Sequence, residues 1–230
     1  KIPEIAFSGC TSLKEINLPN GLQSIEGYAF IDCRNLESLI IPDSTTSIGG
    51  CSFLRCFSLK TIKLPSGLTD IYHGLFQECQ KIENIDIPKS VVKIWPNAFK
   101  GCKSLKKISI PKQKDKLIEE GVLANCSSLV DVSLPLDLEI IKENVFCNCT
   151  KFQNIEIPKT VTKIESSAFS GCSSLVNVVL PPNLKYIKWG TFWNCSSLEH
   201  VEFPNIEKQV EKVISSFPQL NQANETTISK

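Results

Sequence analysis

The residues of this sequence that could perform chemistry are first its cysteines, which recur at a fixed interval. Thiols can bind metals, form disulfides or act as nucleophiles. Nine of the eleven cysteines are 23 residues apart, with one step of 24, namely Cys10, Cys33, Cys56, Cys79, Cys102, Cys126, Cys149, Cys172 and Cys195. No Cys-x-x-Cys pair is present, and the two histidines, His73 and His200, lie at unrelated repeat positions. Because nine thiols in one line cannot all pair, we predict buried structural thiols, no metal and no other cofactor.

Carboxylates are the second group that could perform chemistry. Asp86, Asp131 and Glu156 lie in one part of the repeat, and stacked carboxylates could in principle resemble the acid pair of a glycosidase. Nothing in the sequence indicates a pocket that would raise the pKa of one of them. The chain also lacks a nucleophile elbow, a phosphate-binding glycine loop and a His-Glu-x-x-His motif. We therefore predict that the protein is not an enzyme, the alternative being a repeat appendage of an enzyme whose catalytic part lies elsewhere.

The cysteines belong to a longer repeat, A-F-x-x-C-x-x-L-x-x-I-x-L-P, which extends through most of the chain. Its aromatic position holds Phe7, Phe30, Phe53, Phe76, Phe99, Leu123, Phe146, Phe169 and Phe192. Its proline position holds Pro19, Pro42, Pro65, Pro88, Pro111, Pro135, Pro158, Pro181 and Pro204. A period of this length predicts a solenoid, in which each repeat forms one coil and the stacked coils share a continuous core.

One coil can be read from Leu13 to Ile25. Ile16 and Leu18 alternate with polar residues, as in a half-buried strand, and Pro19 ends the strand because it has no N–H to donate. Leu22 and Ile25 form a second inward pair. A turn position follows, where we predict positive φ, at Tyr28, Cys51, Gly74, Asn97, Gly121, Asn144, Ser167 and Gly190.

Charged residues also alternate in sign from coil to coil, and stacking would turn them into ladders of opposite charge. The predicted ladders are Lys14, Glu37, Lys60, Glu83 and Lys106 on one wall and Lys142, Glu165 and Lys188 on the other.

These repeats resemble the BspA-like leucine-rich repeats, the 23-residue class also called the Treponema type. The resemblance covers Ile5 to Pro204. It implies an α/β-type repeat solenoid: a leucine-rich-repeat right-handed superhelix with a parallel β-sheet on its concave face. It also implies a binding protein without catalytic residues. Bacterial members of this family are surface adhesins, so an adhesin for host matrix proteins or other cells is the alternative to a general protein-binding scaffold.

Three regions follow from the repeat: a solenoid over 1–204 with about nine repeats, a C-terminal capping helix over 205–217 and a disordered tail over 218–230. Ile206, Val210, Val213, Ile214 and Phe217 recur at helical spacing, and Pro218 would end that helix. The chain begins inside a repeat and has no methionine, so we expect further repeats or a cap upstream.

We predict that the partner binds to the concave face, at the positions that flank the middle residue of each strand. The alternative is an ordinary solvated sheet face. We expect a protein or peptide partner, a basic segment being one candidate, because the net bias of these positions is acidic. The predicted binding residues are Asn84, Asp86, Lys107, Asp131, Asn154, Glu156, Asn177, His200 and Glu202.

Two departures from the repeat are candidates for further sites. The sixth unit has one extra residue and a basic run, Lys112, Lys114 and Lys116, with Lys114 at the position that Leu22, Leu68 and Leu138 hold in other units. A tolerated surface bulge is favoured over a basic contact site for an acidic partner. In the last repeat, Trp193 is predicted to face outward. Packing of Trp189 and Trp193 on the C-terminal segment is favoured over an exposed aromatic contact site.

Composition narrows the partner and the compartment. The formal net charge is +1 with interleaved signs, which argues against nucleic acid, and no apolar run is long enough for membrane insertion. A column of free buried thiols favours an intracellular location, with the cell surface as the alternative. Asn125, Asn148, Asn194 and Asn224 begin glycosylation sequons, but the repeat itself supplies the Ser or Thr at three of them.

Overall fold

The computed structural model describes residues 1–202, which form one stack of coils with a strand wall on each side. The capping helix expected over 205–217 and the tail expected over 218–230 lie outside the described residues, as does Pro204.

Most coils contribute one short strand to each wall. The first wall contains the strands that follow the repeat Leu: β2 (Ser38–Ile40), β4 (Thr61–Lys63), β7 (Lys107–Ser109), β9 (Asp131–Ser133), β11 (Asn154–Ile155), β13 (Asn177–Val179) and β15 (His200–Glu202). The second wall contains the strands that follow the repeat Pro: β1 (Ser24–Ile25), β3 (Ser47–Ile48), β5 (Asp70–Ile71), β6 (Lys93–Ile94), β8 (Leu117–Ile118), β10 (Ile140–Ile141), β12 (Lys163–Ile164) and β14 (Tyr186–Ile187).

All paired strands are parallel, and residue i pairs with the equivalent residue of the next coil. Ser38 pairs with Thr61, an offset of 23, whereas Lys107 pairs with Asp131, an offset of 24. The offset returns to 23 at Leu117 and Ile140. The extra residue is therefore accommodated between β7 and β8, and the register of both walls is preserved around it.

The core between the walls is a stack of phenylalanine rings. Phe7 lies 4.9 Å from Phe30, centroid to centroid, and the next three rings continue at 5.5 to 5.7 Å with interplanar angles of 15° or less. Leu123 interrupts the stack, which resumes from Phe146 to Phe192. Offset stacks of this kind contribute about 0.5–1.5 kcal/mol per pair beyond area burial. The predicted aromatic column is confirmed.

Two turn positions in each coil have positive φ. The first holds the eight predicted residues from Tyr28 to Gly190, all with φ between 55° and 70°. The second directly precedes the column cysteine and was not predicted. Asn125, Asn148 and Asn194 occupy it, with φ of 58° to 62°. Because asparagine tolerates this conformation better than most residues, local backbone geometry accounts for the asparagines of three sequons.

Within residues 1–202, the predicted charge ladders form ion pairs between adjacent coils at three of their six steps. Lys60 Nζ lies 2.8 Å from Glu37, and Lys106 Nζ lies 2.6 Å from Glu83. On the second wall, Lys188 Nζ lies 3.3 Å from Glu165. The first two pairs are about half exposed, so each contributes at most about 1 kcal/mol, and avoidance of like charges in register is their larger effect.

The inserted residue changes which side chain enters the core. Gln113 is buried to 2% exposure, whereas Lys114, aligned by sequence with the inward leucines, is exposed. The side-chain amide of Gln113 makes two hydrogen bonds to backbone groups. Its Oε1 accepts the Ile94 N–H at 2.8 Å, and its Nε2 donates to the Pro111 carbonyl at 2.8 Å. The alignment of Lys114 with an inward position is therefore wrong, because the chain shifts by one residue after Pro111.

Candidate binding face

The predicted binding residues form one exposed strip on the first wall. We use the name strip for Asn84, Asp86, Lys107, Asp131, Asn154, Glu156, Asn177, His200 and Glu202. The structure brings all nine onto the same surface, and all nine are exposed. The strand register places them in two rows along the stack, since Asn84 pairs with Lys107, Asn154 with Asn177, and Asn177 with His200.

The strip faces outward because the residue between its two rows points into the core. Ile85, Ile108, Val178 and Val201 occupy this middle position and are 1–6% exposed. Alternation along a strand then directs both flanking side chains to solvent. The core thus holds the strip in position without using its side chains for packing.

The charge of the strip remains acidic after its internal pairing is counted. Lys107 Nζ lies 3.8 Å from Asp131, with both side chains more than half exposed, which is a weak surface pair. Within residues 1–202, no ion pair involves Asp86, Glu156 or Glu202. These three carboxylates remain available to a cationic partner.

The central part of the strip contains a shallow polar groove of about 320 Å³. It is lined by Asn84, Asp86, Lys107, Ser109, Asp131 and Ser133, with isoleucine side chains at its base. The groove is open to solvent along its length and holds no buried carboxyl. Its form suits contact with an extended chain better than enclosure of a small substrate.

A second groove of about 730 Å³ begins where the strip meets the proline turns. Leu136, Ile155, Glu156, Ile157, Pro158, Lys159, Val179, Leu180, Pro181 and Pro182 line it. Leu136 is 87% exposed and Val179 is 52% exposed. Among the predicted residues only Glu156 belongs to this groove. The signal that could have revealed it is an apolar residue at a repeat position that is polar in other coils.

The thiol column has a defined structural role. Each column cysteine from Cys33 to Cys195 donates its S–H to a carbonyl oxygen in the preceding coil, at Sγ–O distances of 3.0 to 3.3 Å. Burial raises the pKa of the Cys33 thiol to about 11 and those of Cys126 and Cys195 to about 12. Thiols held in the protonated form are poor nucleophiles and poor metal ligands.

Metal ligation is not indicated elsewhere in the described part of the chain. In residues 1–202, no group of three His, Cys, Asp or Glu side chains has a geometry that could hold a metal ion. All eleven cysteines are present as free thiols, with Cys10 exposed and Cys147 half-buried.

The basic run of the sixth unit is largely paired with neighbouring carboxylates. Lys112 Nζ lies 3.0 Å from Asp137, and Lys116 Nζ lies 2.7 Å from Glu139. Asp115, within the same run, pairs with Lys93 of the preceding coil. These pairs support the surface bulge rather than a basic contact site for an acidic partner.

Two tryptophans of the last repeat follow β14, a strand of the second wall. Trp189 and Trp193 are 66% and 42% exposed, with ring centroids 5.8 Å apart, and the outward orientation predicted for Trp193 is confirmed. The C-terminal segment on which they were predicted to pack lies outside the described residues.

No helix within residues 1–202 is long and apolar enough to cross a membrane.

Comparison with known families gives one result over nearly the whole chain. The model of the BspA type leucine rich repeat region matches residues 1–130 and 93–221, in six copies. Among curated proteins, none shows significant similarity to this sequence.

Several solved structures are similar to this chain. A leucine-rich repeat protein from Bacteroides ovatus is 24% identical, with a TM-score of 0.59, over 80% of this chain and 60% of the other. The T. pallidum leucine rich repeat protein is 28% identical, with a TM-score of 0.60, over 71% and 75% of the two chains. A leucine rich cell surface protein from Faecalibacterium prausnitzii is 24% identical, with a TM-score of 0.54, over 93% and 71%. The chain spans about 60% of the length of the Bacteroides protein.

Proposed function

Since this chain belongs to the BspA-type leucine-rich repeat family, we propose that it is a non-catalytic scaffold that binds a protein or peptide through the strip. The observation that carries the proposal is the placement of all nine strip residues on one exposed surface, where Asp86, Glu156 and Glu202 form no ion pair with any residue of 1–202. Such rows are held by the core and do not contribute to it. Their side chains are therefore free to serve recognition.

The partner expected for this surface is an extended or convex segment that carries lysine or arginine. The three carboxylates that have no ion pair in the described part of the chain attract cations, and the open groove between Asn84 and Ser133 accommodates a chain without enclosing it. The column thiols from Cys33 to Cys195 are buried and donate hydrogen bonds to backbone carbonyls, which disfavours their thiolate forms. The proposal therefore assigns recognition to the strip and no chemical step to any residue.

The test is quantitative affinity capture with the full 230-residue chain and two matched triple variants. The strip variant carries Asp86→Ala, Asp131→Ala and Glu156→Ala. The control variant carries Glu4→Ala, Glu120→Ala and Glu143→Ala, which remove the same charge from one column beside the second wall. Proteins that the wild type and the control retain, and that the strip variant loses, support the proposal. Equal retention by all three chains refutes it.

The compartment of this scaffold distinguishes an intracellular protein from a surface adhesin. The predicted intracellular location rested on the free-thiol column, and the comparisons lend it no support. A relative that is named by location is the cell surface protein of F. prausnitzii. Mass spectrometry of alkylated protein from its native source tests both. Eleven free thiols without sugar favour the interior, whereas glycan at Asn125, Asn148 or Asn194 favours the surface.

An enzyme appendage remains the third possibility and requires a catalytic domain elsewhere in the same gene product. The full gene sequence tests it. A recognisable catalytic domain joined to this repeat region would replace the scaffold proposal with a targeting role.

A further inference from the structure

The groove beside the strip is formed by residues that depart from the repeat. Leu136 follows Pro135 directly. The equivalent residues of the other coils are Asn20, Asp43, Ser66, Lys89, Lys112, Lys159 and Pro182. Six of these seven residues are polar, and the seventh, Pro182, lines the same groove as Leu136. The apolar residues at this position are therefore concentrated at the groove.

Val179 shows the same departure within the strip rows. The equivalent residues are Asn17, Ile40, Lys63, Asp86, Ser109, Ser133, Glu156 and Glu202. All of these except Ile40 are polar. Val179 is 52% exposed and Leu136 is 87% exposed, so neither side chain contributes much to the core. An apolar side chain that does not stabilise the fold and borders a groove is typical of a contact surface.

Charges flank the exposed valine along the stack. The register pairs Val179 with Glu202 of the next coil, and it places Glu156 beside Val179 on the preceding coil. Adjacent coils are about 4.8 Å apart, so the two carboxylates stand about 10 Å apart with Val179 between them. Neither carboxylate has an ion-pair partner among the described residues. This row of the strip therefore has the order acidic, apolar, acidic, and Lys159 also lines the groove.

We propose that this groove is the specificity subsite of the strip, and that it accepts an extended peptide with an apolar side chain flanked by lysine or arginine two residues away on each side. In an extended peptide, residues i and i+2 point to the same face and are about 7 Å apart. The apolar side chain then enters the groove beside Val179, with Leu136 on the opposite edge. The two cations reach Glu156 and Glu202 from the same face. This inference rests on the proposed function and narrows its partner.

The experiment uses three blocked heptapeptides and the ¹⁵N-labelled full chain. The probe is Gly-Lys-Ser-Leu-Ser-Lys-Gly, compared with one peptide in which glutamate replaces both lysines and one in which serine replaces leucine. NMR titration is expected to shift the amide signals of Ile155, Val179 and Leu180 with the first peptide. The other two are expected to bind about tenfold more weakly or not detectably, since each lacks one of the two interactions.

Variants for this test come from the repeat itself, so the fold tolerates them. Leu136→Asn introduces the residue type of the equivalent Asn20. Val179→Ser introduces the residue type of the equivalent Ser109 and Ser133. The double variant is expected to bind the probe about tenfold more weakly. Ile40→Ser is the control, because Ile40 is 69% exposed in the same row but lies remote from the groove. It is expected to leave probe affinity unchanged.

Several outcomes would overturn the subsite. If the probe peptide leaves the amide signals of the groove residues unshifted, the subsite is refuted, whether the groove is empty or is covered by residues 205–217. Groove signals that shift with protein concentration alone would assign the surface to a second copy of this chain. Shifts confined to Asn84, Lys107 and Asp131 would remove the subsite and leave the proposed function standing. Failure of the proposed function is seen separately, as retention of protein partners by the strip variant.

Discussion

The thiol of Cys79 donates a hydrogen bond to the carbonyl oxygen of Phe53 in the preceding coil, at 3.1 Å. The same carbonyl accepts the backbone N–H of Cys56 within its own coil, also at 3.1 Å. Cysteine thus satisfies two requirements at this position, since it is small and apolar enough for the core and still provides a donor. Because each column thiol from Cys33 to Cys195 donates to the preceding coil, the column adds one hydrogen bond between each pair of neighbouring coils.

Removal of a column thiol should destabilise the fold. Cys102 is fully buried, and its Sγ lies 3.2 Å from the Phe76 carbonyl. We expect Cys102→Ala to lower the free energy of unfolding by about 1–3 kcal/mol, through a small cavity and a lost hydrogen bond. Urea denaturation followed by circular dichroism measures the change. The exposed Cys10 is the control, and Cys10→Ala should stay within about 0.5 kcal/mol. Equal effects of the two substitutions would contradict the structural role of the column.

The stability of the chain should fall as the solution becomes alkaline. Burial raises the pKa of Cys126 to about 12, whereas a thiol in the unfolded chain ionises near pH 8.5. Above about pH 9 the unfolded state therefore binds fewer protons than the folded state, and the free energy of unfolding decreases with pH. Below the unfolded pKa this contribution to stability is fully present.

A single column variant isolates this effect from other groups that titrate at high pH. Cys126→Ala should make the decline in unfolding free energy shallower by up to about 1.4 kcal/mol per pH unit between pH 9.5 and 11, as measured by urea midpoints. Cys10→Ala serves again as the comparison. Parallel curves for wild type and Cys126→Ala would show that this thiol ionises equally in both states.

The inserted coil should depend on Gln113. Replacing this residue with alanine leaves the Ile94 N–H and the Pro111 carbonyl without their side-chain partners in a buried place. We expect Gln113→Ala to cost about 1–3 kcal/mol in the free energy of unfolding. Lys114→Ala, one residue later and exposed, should change it by less than about 0.5 kcal/mol. The reverse order of effects would mean that Lys114 faces the core.

Replacement of glycine by alanine should lower stability at the second positive-φ position and be tolerated in a turn without positive φ. Gly171 has φ of 73°, and a Cβ there would lie 2.2 Å from Asn148 Oδ1. Gly171→Ala should therefore destabilise by about 1–2 kcal/mol. Gly67 lies in a turn with nothing within 4 Å of an added Cβ, so Gly67→Ala should be neutral or stabilising by up to about 1 kcal/mol. Thermal unfolding of both variants gives the comparison, and equal melting temperatures would contradict it.

Much of the fold could be predicted because a 23-residue period makes equivalent side chains neighbours. The phenylalanine stack, the first positive-φ position and the ladder of Lys60 and Glu37 all follow from that one fact. The exposed strip follows as well, since strand alternation alone decides which residues face out. The partner of the strip does not follow, because those side chains are free of the core and no packing rule constrains them.

What the sequence by itself determined was therefore the solenoid, its register and the columns of its core, because each depends on residues related by the repeat. Only the tertiary structure decided which residue of the coil with the insertion enters the core. After Pro111 the chain is shifted by one residue, so Gln113 rather than Lys114 points inward. The tertiary structure also decided that Leu136 and Val179 line one groove. They belong to different coils and different repeat positions, and such residues meet only when the curved path of each coil and the stacking of its neighbours are both set.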